Sequence, residues 1–534
     1  MSPNSQMETP DSQSDLGSLA ALESGFNLSV QIPGPATVEI PAEIWMAIFE
    51  SYAASYWDPL QNDLETIRKG TEQLMVAHLP LMLVSRTWHD LVVATPAMWA
   101  VVAFHMGPPL TAGDAYAVVA RQLERSKQCG LQVALSAPLA SYSDAMNLED
   151  YAPALELLFS ASGRFVSLHL LDVYTLQSGP TAAQWLHLPR HLPRLQRLEI
   201  TKTTGVPAVV SNDSPFWEAV QRAPLRHLRL ERMESASFPL RVLVSLETSD
   251  NSALLDTLSS EGCCVQHAHL LPGLFTINSS DQRPNTTLKT LTVDGNSDTA
   301  TLFLLNLKAV CLLELELCNF DGNFWVLCQS PRVINALKES YSSISSLVLH
   351  GIDYSLDVNE QHLRETLQAL PRVRILDVSD YFLEINEVIC LNKFPLHVLH
   401  SMPNVDKGNH TTDLTAIQQV NPPKLLPLLT TLIYRVDPRI TEHHWRELEF
   451  PSEMRDAMVR GLRTTTLRAI SDVVNGRIHN SSATQPDYNY AKSCWKVFDV
   501  HGLDVDLQHE RVKWFAEVVE RTEKQHGLRI RLRK

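Results

Sequence analysis

The sequence predicts an α/β chain: a small helical module near the N-terminus, then a long solenoid in which each unit is one strand plus one helix. Three observations predict it. Residues 40 to about 104 carry apolar side chains at helical spacing. A short motif of strand character recurs from about residue 165. Prolines and helical segments separate its copies.

In the first segment Ile40, Ile44 and Ile48 fall at i, i+4 and i+8, with Trp45, Phe49 and Tyr52 on the adjacent stripe. That spacing makes an amphipathic helix with a wide apolar face, and Pro41 suits its first turn. A second helix is expected from Pro80, with Val84, Trp88 and Leu91 on one face. Thr95-Pro96 should break it, because the residue before a proline is pushed out of the helical region.

The recurring motif is apolar-x-x-apolar-x-apolar. Its copies are Phe165/Leu168/Leu170, Leu195/Leu198/Ile200, Leu225/Leu228/Leu230, Leu288/Leu291/Val293, Leu312/Leu315/Leu317, Ile344/Leu347/Leu349, Val373/Leu376/Val378 and Leu429/Leu432/Tyr434. The middle residues are spaced 30, 30, 63, 24, 32, 29 and 56 apart. The two long steps are about double the rest, so each is expected to hold one degraded copy, Val265/Ala268/Leu270 and Leu396/Leu399. Pro193, Pro224, Pro371 and Pro427 precede copies, where proline ends a helix. Phe216–Ala223 and Glu360–Leu370 read as the linking helices. A helix from about Asp504 to Gln525 and a strand alternating Leu528, Ile530 and Leu532 should close the chain.

The expected domains are therefore a disordered tail over 1–36, too polar to offset its ordering entropy, and a helical module over 37–105 with an insertion at about 51–78. A helical linker or cap over 106–160 and the solenoid with its C-terminal cap over 161–534 follow. Loops are expected at about 404–412 and 475–489.

Composition narrows the function. The 534 residues are 44% hydrophobic and 20% charged, with a net charge of −15. An acidic chain is a poor general binder of nucleic acid, which takes a basic face. An uninterrupted apolar run of membrane-spanning length is missing, as is a basic stretch followed by an apolar one in the first thirty residues. An intracellular protein, cytoplasmic or nuclear, is expected. The eight cysteines form no Cys-x-x-Cys pair and read as thiols of a reducing compartment. Phosphate-binding glycine loops, His-Glu-x-x-His and Gly-x-Ser-x-Gly do not occur. His443-His444 with Glu447, and His267-x-His269, are the best metal candidates, but neither forms a complete ligand set. The expectation is no enzyme, no cofactor and no metal.

The N-terminal segment resembles the F-box in three ordered blocks: Ile40-Pro-Ala-Glu-Ile-Trp-Met-Ala-Ile-Phe49, Leu83-Val-Ser-Arg-Thr-Trp-His-Asp-Leu91 and Thr95-Pro-Ala-Met-Trp99. It is closest to F-box-like proteins of mushroom-type fungi, which carry an irregular leucine-rich array behind the module. Two departures stand out: about 28 residues, Ser51 to His78, separate the first helix from the second, and the Asn or Cys that follows each regular leucine-rich motif is missing from almost every copy. The resemblance implies docking on the Skp-type linker subunit of a cullin–RING ubiquitin ligase. Ile40, Pro41, Glu43, Ile44, Ile48, Phe49, Leu83, Val84, Ser85, Trp88, Pro96 and Trp99 would carry it, with Trp88 as packing anchor. Trp88 and Trp99 alternatively fill the core between the module and the first repeat. The x positions of the motif face outward, so Arg197, Glu199, His227, Arg229, Glu314 and Glu316 would meet a protein substrate, beside Thr290, Thr292, Ser346 and Asp377. The alternative is a leucine-rich scaffold without ligase association.

Overall fold

The computed structural model describes residues 42–57, 79–106, 111–136, 148–171, 189–201, 208–209, 215–234, 242–272, 285–294, 303–318, 330–350, 365–379, 381–385, 388–392, 426, 428–435, 467–468, 470–472, 474–475, 496–501, 513–526 and 528–533. The expected tail, most of the expected insertion and loops, Ile40, Pro41, Leu396, Leu399 and the His443-His444 pair with Glu447 lie outside them.

The chain begins with helices α1 (Ala42–Trp57), α2 (Leu79–Val84) and α3 (Arg86–Ala94), followed by a 3₁₀ turn over Pro96–Trp99. Helix α1 runs seven residues into the segment expected to be an insertion. The single second helix expected from Pro80 is two helices, because Ser85 is extended and its Oγ accepts the Trp88 N–H at 3.2 Å. A serine in that role satisfies an N–H that a helix start leaves unpaired. The two expected helical regions do pack together. The Trp88 ring lies 4.7 Å from Trp45 and 5.0 Å from Phe49, centroid to centroid.

Among the described residues a parallel sheet of 14 strands follows. Its members are β1 (Val101–His105), β2 (Leu131–Ser136), β3 (Phe165–Leu171), β4 (Arg197–Thr201), β6 (His227–Glu231), β8 (Ser245–Thr248), β9 (His267–Leu270), β10 (Thr290–Asp294), β11 (Glu314–Cys318), β12 (Ser346–His350), β13 (Ile375–Ser379), β16 (Thr431–Arg435), β17 (Val497–His501) and β18 (Arg529–Arg533). Strands β5 (Ala208–Val209) and β7 (Met233–Glu234) pair with each other, and β14 (Tyr381–Ile385) with β15 (Val388–Asn392) makes an antiparallel hairpin. Within the large sheet every strand neighbours the next member in chain order. Parallel neighbours need a crossover between them, and here the crossovers carry helices α4 (Ala112–Ser126), α5 (Ala152–Ser160), α6 (Pro215–Arg222), α7 (Asn251–Ser259), α8 (Pro331–Ser340) and α9 (Lys513–His526). An ordered parallel array with crossover helices is compatible with a strand-plus-helix solenoid.

Alternation along each strand sorts the residues. Leu198 and Ile200, Leu228 and Leu230, Leu291 and Val293, Leu315 and Leu317 are buried on one face. From the helices Val119, Leu158, Trp217, Leu254, Leu337 and Phe515 join the same cluster. The second and third apolar positions of the motif are thus the inward residues that a period of two requires. Two local devices position the connections. Gly130, entering β2, leaves no room for a side chain, since a Cβ there would lie 2.4 Å from Val166 Cγ2. Buried Asn285 holds the approach to β10: its Nδ2 donates to the Leu258 carbonyl at 2.7 Å, and its Oδ1 accepts the N–H of Thr287 at 3.0 Å and of Leu288 at 2.7 Å.

Four expectations about the array are corrected. The sheet starts at β1, inside the segment assigned to the helical module, and the linker over 106–160 contributes β2. The long step after Leu228 holds two strands, β8 and β9, not one. The long step after Leu376 inserts none, because β13 hydrogen-bonds directly to β16. Strand β17, which was not foreseen, precedes the closing helix and strand.

Candidate functional site

Two surfaces stand out, one on the helical module and one on the polar face of the sheet. In the module, Phe49 is 0% exposed and Trp99 2% exposed. They form the module's core with Val92 and Met98, and Trp45, Leu81, Met82, Trp88 and Leu91 pack against it. Neither is a surface contact, against expectation. Trp99 Nε1 donates to the Val92 carbonyl at 3.0 Å, and the Arg125 guanidinium of α4 lies 4.2 Å over its ring. Trp99 thus ties the module to the first crossover helix, the alternative role anticipated for it. Trp88, half-buried, does anchor the packing of α1 on α3.

With that core filled, other apolar residues remain outside. Ile44 is 51% exposed, Ile48 46%, Leu83 82% and Val84 59%. Ile44 and Ile48 are one turn apart on α1, so they share a face. Leu83 and Val84 end α2 where Ser85 interrupts the helix. Glu43 and Ser85 are exposed and Pro96 is half-buried.

The polar face of the sheet carries the expected outward residues. Register aligns them in rows, and the middle row reads His169, Glu199, Arg229, Glu247, His269, Thr292, Glu316, Val348, Asp377. Ion pairs link neighbours. His169 Nδ1 lies 3.9 Å from Glu199, which Arg197 also pairs. Arg229 lies 3.1 Å from Glu231 and 3.6 Å from Glu247, and His269 Nδ1 3.5 Å from Glu247. Farther along, Thr292 donates to Glu316 at 3.0 Å, and Arg435 holds Asp377 at 2.7 Å. His227 is exposed and Glu314 half-exposed, but Glu199 and Asp377 are buried and paired with their neighbours, not offered to solvent as expected.

The row is electrostatically tuned. Burial pushes the His169 imidazole down, which favours its neutral form, and the Glu199 charge only partly opposes this. Burial raises Glu247, but the His269 hydrogen bond and the Arg229 charge outweigh it and hold the carboxyl below its ordinary value. Asp377 is lowered likewise, burial being outweighed by His350 and Arg435. Among the described residues, His169 Nε2, Glu199 Oε2, Arg229 Nε and His269 Nε2 are buried without a hydrogen-bond partner. Orphan polar atoms cost free energy unless water or a ligand meets them. Four of them lie along one row of the sheet's polar face.

Of the metal candidates, His267 instead shares a hydrogen bond with Thr290 Oγ1, and His269 serves the row. A group that the sequence reading missed is Glu316, Cys318 and His350, whose ligand atoms lie within 4.8 Å of one another. The Glu316-x-Cys318 alternation was visible, but His350 joins only through strand register. Among the described residues no helix is long and apolar enough to cross a membrane. No family model matches the chain, and no curated protein matches it.

Proposed function

We propose that the chain is a non-catalytic adaptor of F-box type. Its helical module docks on the Skp-type linker subunit of a cullin–RING ubiquitin ligase. An irregular leucine-rich-repeat solenoid presents a protein substrate on its polar face. The observation that carries this reading is the exposure of Ile44, Ile48, Leu83 and Val84 beside a module core built from Phe49, Val92, Met98 and Trp99. Large apolar side chains left in water mark interaction surfaces, and burying them against a partner gains roughly 25 cal/mol per Å². These four residues lie in the first two blocks of the F-box resemblance. The mixed-sign row with its orphaned polar atoms suits a polar protein surface better than a phosphate backbone.

The second reading is a leucine-rich scaffold without ligase association. The extension of α1 to Trp57 favours it, since the compact F-box turns sooner. Affinity capture of the full chain separates the two. The adaptor reading expects the linker subunit to copurify with the wild type and to be lost with Ile44→Asp and Leu83→Asp, both variants retaining their helical circular dichroism. A folded wild type that never captures purified linker leaves the scaffold reading.

A further inference from the structure

We propose that Glu316, Cys318 and His350 form a zinc site on the polar face of the sheet. The geometry comes from register alone. Glu316 and Cys318 are two apart on β11, so they share a face, and Cys318 pairs with His350 on β12. Cys318 Sγ lies 3.4 Å from Glu316 Oε1, and His350 Nδ1 lies 3.8 Å from that same oxygen. Ligands about 2.0–2.3 Å from a tetrahedral Zn²⁺ stand roughly 3.3–3.7 Å apart, so two edges of the triangle are already near coordination length.

The His350 ring is oriented for this role. Its Nε2 lies 3.0 Å from Asp377 Oδ1. An ionised carboxylate only accepts, so the neutral ring carries its hydrogen on Nε2 and its lone pair on Nδ1. Nδ1 is the ring atom that lies 3.8 Å from Glu316 Oε1. A carboxylate behind a ligating histidine fixes tautomer and direction, and Asp377 is itself held by Arg435 Nε and Nη2 at 2.7–3.1 Å. Asp377 is therefore a positioning residue. A thiol, an imidazole and a carboxylate together suit Zn²⁺ better than the oxygen-seeking Mg²⁺ or Ca²⁺. On binding, Cys318 loses its thiol proton to solvent as the sulfur–metal bond forms. All three ligands are half-exposed, which leaves the fourth position to water or to a donor from a docked protein. The proposal is independent of the adaptor reading.

The test is titration of the purified full chain with Co²⁺ as a spectroscopic stand-in, followed by displacement with Zn²⁺. The expected result is a thiolate-to-cobalt charge-transfer absorption that zinc removes. Cys318→Ser and His350→Ala lose it, while Cys264→Ser, which alters an exposed thiol elsewhere, keeps it. Asp377→Asn retains the band with affinity weakened about 10–100-fold. Thermal melts confirm that each variant is folded; should one ligand variant not fold, the other decides. No charge-transfer band in the wild type, or its persistence in a folded Cys318→Ser or His350→Ala variant, overturns the site.

Discussion

Replacing Asn285 with Ala should loosen one joint of the array without touching its apolar core. The side chain makes three backbone hydrogen bonds, to the Leu258 carbonyl and from the Thr287 and Leu288 amides, while itself buried. A buried hydrogen bond contributes about 0.5–1.5 kcal/mol net, and groups left unmade cost more. The loss should therefore reach roughly 3 kcal/mol, about two tenfold steps in an opening equilibrium. In a repeat array each unit leans mainly on its neighbours, so the effect should centre on α7, β9 and β10. Native-state hydrogen exchange is the appropriate assay. The Leu288 and Thr287 amides should lose about a hundredfold protection, with strands β2 and β3 little changed. Unaltered protection at both amides would refute the assignment of Asn285 as the tie between these connections.

Phe49→Ala should destabilise the module by about 3–5 kcal/mol through the cavity it leaves, whereas Ile48→Ala, one residue away but exposed, should stay within about 0.5 kcal/mol; urea denaturation monitored by tryptophan fluorescence compares them. Trp99→Ala should release the module from α4, seen as limited-proteolysis cleavage near residue 100 while the sheet survives. Gly130→Ala should lower the thermal midpoint, because a Cβ there meets the stiff Val166 side chain; an unchanged midpoint would show that Val166 yields freely. Glu247 gives a pH signature. Burial raises its folded carboxyl, but the His269 hydrogen bond and the charges of Arg229 and Arg197 hold it below the ordinary value, with His227 also in its field. Its contribution is complete above the ordinary glutamate range and is lost as pH falls through the depressed folded value. Glu247→Gln should flatten that acid limb in a stability-versus-pH series.

The inward residues of most strands were legible because burial on one face imposes a period of two, and leucines mark it. Three of the strands that escaped can be accounted for residue by residue, whereas β17 carries an intact copy, Trp495/Phe498/Val500, that the reading passed over. In β8 the third motif position is Thr248, fully buried yet polar, with its Oγ1 accepting the Asp250 N–H. In β2 the first position is Gly130, forced by Val166. In β1 the copy Trp99/Val102/Phe104 is intact, but Trp99 also ends the helical module, so the sequence offered two readings of one residue. The long step to Leu432 misled because equal spacing was assumed, whereas strand pairing restricts only the strands. On the module, helical spacing located the apolar residues but could not divide them. Phe49 and Ile48 differ by about a hundred degrees around α1, and it is the cluster of Trp88, Val92, Met98 and Trp99 that covers one and not the other.

The direct pairing of β13 with β16 separates the spine of this protein from the length of its chain. Between Ser379 and Thr431 the described residues include the small β14–β15 hairpin, which pairs outside the large sheet, and Thr431 rejoins the ladder at the very next rung. Such a design lets segments be lengthened, trimmed or exchanged between rungs while the rows of side chains on the polar face keep their alignment.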